Sequence, residues 1–76
     1  MISDKALEFL DFYRTSLAHS TKFIREGNSD SLKIYSFTAK EFQLQIDVIM
    51  MNESITDEEK LFIIKSLNKH LIDLCG

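Results

Sequence analysis

Apolar residues recur along this chain at intervals of three and four, in three stretches separated by short polar joints. The spacing predicts three helices over about residues 4–26, 31–51 and 57–74, because side chains three and four apart share one helical face. In the first stretch, Ala6, Leu10, Tyr13, Leu17 and Ile24 form the stripe, with Ser20 filling the remaining slot. Ser3 is the expected N-cap, and Asp4 suits the positive end of the helix. Gly27 followed by Asn28 reads as a stop in which either residue closes the helix in the left-handed conformation. Ser29 or Asp30 then caps the next helix.

The central stretch carries two apolar ridges. Leu32, Tyr35, Ala39, Phe42, Ile46 and Ile49 form the first and are expected to face the core. Phe37, Leu44, Val48 and Met51 form the second, which at about 100° per residue projects nearly opposite the first. The run Phe42 to Val48 alternates apolar and polar, as a strand would. However, the four residues Thr38 to Glu41 offer nothing to turn a hairpin, so the helix is the expected form. The third stretch opens on Thr56-Asp57-Glu58-Glu59, a capping box in which Thr56 and Glu59 each bond the other's backbone N–H. Its inward residues are Ile63, Ile64, Leu67, Leu71 and Leu74, with Leu61 and Ile72 at the edges and Gly76 as an expected helix end.

Two short joints imply antiparallel neighbours. The expected architecture is therefore all-α, a single small domain over residues 1–76 with three helices running up-down-up. With 76 residues, one cysteine, no proline and two glycines, such a protomer has a small core. Chains of this size commonly lean on disulfides, a metal or a second subunit. Cys75 has no intrachain partner, and one Cys with His19 and His70 fits no usual zinc spacing. A second subunit is the remaining support, so association into a dimeric helical bundle is expected.

Charge and motifs narrow the chemistry further. The formal net charge is −3, which supplies no field for nucleic acid or an anionic membrane. Arg14, Lys22, Arg25 and Lys33 form a loose basic cluster, but Asp4, Glu8, Asp11 and Glu26 share the same surface. Nucleic-acid binding is therefore the least favoured reading. The acidic corner from Glu53 to Glu59 is explained mainly by helix capping. No apolar run reaches membrane length, no signal-peptide pattern opens the chain, and the lone cysteine suits the cytoplasm.

No catalytic constellation is visible, and no cofactor or metal motif occurs. His19 and Ser20 are sequence neighbours that point about 100° apart, and His70 and Asp73 have no nucleophile assigned beside them. No enzymatic activity and no small-molecule substrate are expected. The function read from the sequence is a non-catalytic protein–protein interaction module, most simply a homodimer. Its expected contact residues are Phe37, Leu44, Val48 and Met51, joined by Phe12 and Phe23 where these are exposed together. Phe62 stands alone on the charged face of the third helix, where a single exposed apolar residue needs no explanation; a hot-spot anchor is the alternative there. The alternative is a small monomeric inhibitor or regulator of the bacterial or phage type that docks on a host protein.

Overall fold

The computed structural model describes residues 2–75. Three helices make up the fold, α1 (Asp4–Gly27), α2 (Ser31–Met50) and α3 (Asp57–Cys75), and no strand occurs among the described residues. Gly76, expected as a helix end, lies outside them.

Each start is set by a polar side chain acting on orphan backbone donors. The Ser3 hydroxyl accepts the Ala6 N–H at 3.2 Å and begins α1. Asp30 accepts the Leu32 N–H at 2.9 Å and begins α2. The expected capping box begins α3: Thr56 accepts the Glu59 N–H at 3.1 Å, and Glu59 accepts the Thr56 N–H at 2.9 Å. The end of α1 differs from expectation, because no residue described has a positive φ. Asn28 instead leaves in an extended conformation, its N–H bonded to the Arg25 carbonyl. Its side-chain amide also donates to the Ile24 carbonyl at 3.2 Å. The Asn28 amide thus closes the helix by satisfying a free carbonyl, and the left-handed turn is not needed.

Contacts between helices fix the up-down-up order. Ser3 at the start of α1 meets Glu59 at the start of α3, and Arg25 near the end of α1 donates to the Leu74 carbonyl near the end of α3. Those two helices run parallel. Between them α2 runs the other way, with Thr21 across from Thr38 and Tyr13 across from Gln45. Lys60 at the start of α3 reaches the Met50 carbonyl at the end of α2, 3.1 Å away. The molecule is a rod of 40 × 18 × 16 Å, as the 24-residue α1, about 36 Å long, dictates.

Ala6, Leu10, Leu17, Phe42, Ile49, Ile55, Ile63, Leu67 and Leu71 form the buried core. The inward face of α2 is rotated from the one expected. Its buried residues are Thr38, Phe42, Gln45 and Ile49, a stripe turned by about 60° from the Leu32–Ile49 ridge. Leu32 is 80% exposed and Tyr35 also faces water, while Ala39 and Ile46 are half-buried. The reason is that polar side chains hold two of the inward positions. Thr38 donates to the Ile34 carbonyl at 2.8 Å, and Gln45 Nε2 donates to the Tyr13 carbonyl at 3.2 Å. Gln45 is anchored through its Nε2 alone, whereas Thr38 is satisfied by its bond and can be buried at little cost. Thr21 does the same on α1, bonding the Leu17 carbonyl at 2.9 Å. On α3, Leu61 and Ile72 stand out in solvent rather than at the edge of the core.

Candidate interaction surface

The rotation of α2 changes where its second ridge points. Instead of lying opposite the core, Phe37, Leu44 and Val48 lie about 120° from the inward direction, on the flank that adjoins α1. All three are exposed, as is Met51 at the C-cap. On α1, Phe12, Ser16, His19 and Phe23 step by four, three and four and share one face. That face adjoins α2.

The two stripes meet in a groove. Phe23 and Ile24 of α1 line it with Phe37 of α2, and His19, Lys22, Glu26, Lys40 and Glu41 edge it. The groove encloses about 760 Å³ and is open along its length. His19 also borders a second, smaller hollow with Phe12 and Ser16, which links Phe12 and Phe23 into one strip. Extending the register of the Thr21–Thr38 and Tyr13–Gln45 contacts puts Phe12 level with the turn that holds Val48. Ser16 is then level with the turn that holds Leu44. All six expected contact residues, Phe12, Phe23, Phe37, Leu44, Val48 and Met51, therefore belong to one face of the molecule, the one turned away from α3.

The face is apolar with local polar support. Phe12 packs edge-on against Tyr13, with ring centroids 5.4 Å apart and planes at 77°. The Lys40 ammonium lies 5.8 Å from the Phe37 ring centroid, close enough for a cation–π attraction. Phe23 is 78% exposed and Leu44 61%. With roughly 200 Å² per aromatic side chain and somewhat less for Leu44, Val48 and Met51, the exposed parts of the six amount to on the order of 700 Å². That exceeds the largest apolar patch of a typical monomer, about 300–600 Å².

The other candidates are dispersed. Arg25 of the basic cluster is engaged at the end of α3 through the Leu74 carbonyl. Glu59 of the acidic corner is buried and bonded to Ser3 and Thr56, so its charge serves the helix starts. These bonds, the Ser3 hydroxyl foremost, hold its pKa down at about 2, against an ordinary 4.5. His70 is half-buried, and its Nε2 has no hydrogen-bond partner among the described residues. Phe62 is exposed on the outer side of α3. Among the described residues, no three His, Cys, Asp or Glu side chains come together as a metal site. No helix among the described residues is long and apolar enough to cross a membrane.

No protein-family model matches the chain, and neither a curated protein nor a solved structure is significantly similar to it.

Proposed function

We propose that this protein is a non-catalytic interaction module whose working surface is the α1/α2 face, in its simplest form a homodimer. One observation carries the reading: two helices present their apolar side chains on a single face, over an area larger than a monomer ordinarily leaves uncovered. Covering it removes apolar surface from water, at about 25 cal/mol per Å² before ordering costs. Aromatic side chains near the centre of such a patch are the residue types on which binding energy concentrates. A two-fold dimer uses the same patch twice, so one ridge serves both subunits.

The test is the solution mass by light scattering on a sizing column, at two protein concentrations, for wild type and Leu44→Asp. The expected result is a wild-type dimer and a folded, helical Leu44→Asp monomer. A dimer that survives the substitution would remove the ridge from the interface. A wild type that is monomeric throughout would remove the homodimer and favour a heterologous protein partner, as for an inhibitor or regulator.

A further inference from the structure

On the two outer edges of the apolar face, lysines and aspartates are set toward opposite ends. On the outer edge of α2, Lys40 lies toward one end of the rod and Asp47 toward the other, and both are exposed. On the outer edge of α1, Lys22 lies toward the Lys40 end and Asp11 toward the Asp47 end. Lys33 and Glu53 extend the same division past either end of the ridge. Glu26 and Glu41 at the basic end and Lys5 at the acidic end run against it. Glu26 and Glu41 line the same groove as Lys22 and Lys40, and Asp30 at the start of α2 is a further acid at that end. The division is therefore carried by the outer edges, where Lys40 and Asp47 stand seven residues apart on α2.

This division selects between the two ways a copy can be laid on the face about a two-fold axis. With the axis along the helices, α1 of one copy lies over α2 of the other at the same level. Lys40 then faces Lys22, and Asp47 faces Asp11, which is repulsive twice over in each half. With the axis across the helices, one copy is turned end for end and α2 crosses its own counterpart antiparallel. Basic ends then lie on acidic ends. The ridge is built for that operation, because Phe37 and Met51 stand seven residues to either side of Leu44.

We propose that the occupant of the α1/α2 face is a second copy of this chain, reversed end for end about a two-fold axis that passes beside Leu44. Leu44 meets Leu44 of the partner subunit, Phe37 meets Met51 of the partner subunit, and Lys40 comes beside Asp47 of the partner subunit. The area agrees with the assignment. Each copy offers on the order of 700 Å² of apolar surface, close to the roughly 800 Å² that a stable interface of standard size buries per partner. This arrangement rests on the homodimer reading and adds a direction to it.

A charge exchange tests the direction, read as the self-association constant by sedimentation or light scattering at low salt, where rim charges are least screened. Lys40→Glu and Asp47→Lys are each expected to weaken the dimer about three- to tenfold, the range two symmetric exposed pairs can carry. Mixing the two variants restores opposite charges at both contacts, so an equimolar mixture should return close to wild-type affinity as a 1:1 pair. The double variant should do the same alone. A mixture no tighter than its components would overturn the reversed arrangement. So would a Lys40→Glu variant tighter than wild type, which is what the same-level arrangement gives, since the introduced carboxylate would then face Lys22. In either case a wild-type dimer released by Leu44→Asp leaves the homodimer reading in place. A monomeric wild type overturns both.

Discussion

The Glu59 carboxylate accepts the Ser3 backbone N–H at 2.9 Å across 56 residues of chain. It accepts the Ser3 hydroxyl as well, and the Thr56 N–H on its other oxygen. One side chain thereby serves the positive ends of two parallel helices, α1 and α3, where an anion is most favoured. Ser3 in turn passes the contact on to the Ala6 N–H. The capping box was legible in the sequence as a local device of α3, but its long-range half was not.

Acid should therefore loosen the molecule from this end. The Glu59 pKa is lowered to about 2 in the folded protein, first by the Ser3 hydroxyl and then by the backbone donors of Thr56 and Ser3. An ordinary carboxyl titrates near 4.5. A folded-state pKa below the unfolded one contributes stability that is fully present above the unfolded value and is lost as pH falls toward the folded one. Urea midpoints should thus decline between about pH 4.5 and pH 2, and Glu59→Gln should flatten that decline while lowering the midpoint at neutral pH. An unchanged acid profile in Glu59→Gln would place the acid sensitivity elsewhere. Ser3→Ala should cost about 1 kcal/mol at neutral pH, the usual worth of an N-cap.

Gln45 offers a test of the opposite sign. Its Nε2 bonds the Tyr13 carbonyl, but its Oε1 is buried without a hydrogen-bond partner among the described residues. A buried unpaired acceptor costs about 1–3 kcal/mol, and the Tyr13 carbonyl keeps its own place in the α1 ladder when the amide is gone. Gln45→Met, similar in volume, should leave thermal stability unchanged or raise it by about 1 kcal/mol. A loss of more than about 1 kcal/mol would mean that the α1–α2 bond outweighs the unpaired oxygen.

The face and the core should separate cleanly by mutation. Leu67 is fully buried in α3, so Leu67→Ala should cost about 2–5 kcal/mol and broaden or abolish cooperative melting. Phe23→Ser removes a larger side chain that is mostly in water, and should change the stability of the isolated subunit by no more than about 0.5 kcal/mol. Measured in chemical denaturation at low protein concentration, equal costs for the two would show that Phe23 holds the subunit together.

The three helices and the caps at their starts could be read from the spacing of apolar residues and from Ser3, Thr56 and the Ser29-Asp30 pair, of which Asp30 is the cap. The end of α1 could not, because Asn28 leaves it in an extended conformation. Nor could the rotation of α2. A pattern built on apolar side chains passes over Thr38 and Gln45, which face inward with the Thr38 hydroxyl bonded to the Ile34 carbonyl and Gln45 Nε2 to the Tyr13 carbonyl. Leu32 and Tyr35 took their places in the sequence-based stripe. The same omission hid the main feature of the candidate surface, that Phe37 and Phe23 share a groove. Thr38 gives the check. Its side chain is fully buried, facing Thr21 with hydroxyl oxygens 3.5 Å apart. Thr38→Leu should overpack this contact and cost about 1–3 kcal/mol, whereas Thr38→Ser should be milder. A harmless leucine would show that α1 and α2 have slack where they approach.

The 40 × 18 × 16 Å outline has a dynamic counterpart. All three helices lie along the long axis, so nearly all their amide N–H vectors point along it too. An elongated body rotates slowly end over end and quickly about its length, and vectors along the length sense only the slow rotation. Helical amides should then show uniformly higher ¹⁵N relaxation ratios than those of the joints at 28–30 and 51–56. A second copy laid flat on the α1/α2 face would thicken the rod without lengthening it, and the difference would shrink even as overall tumbling slowed.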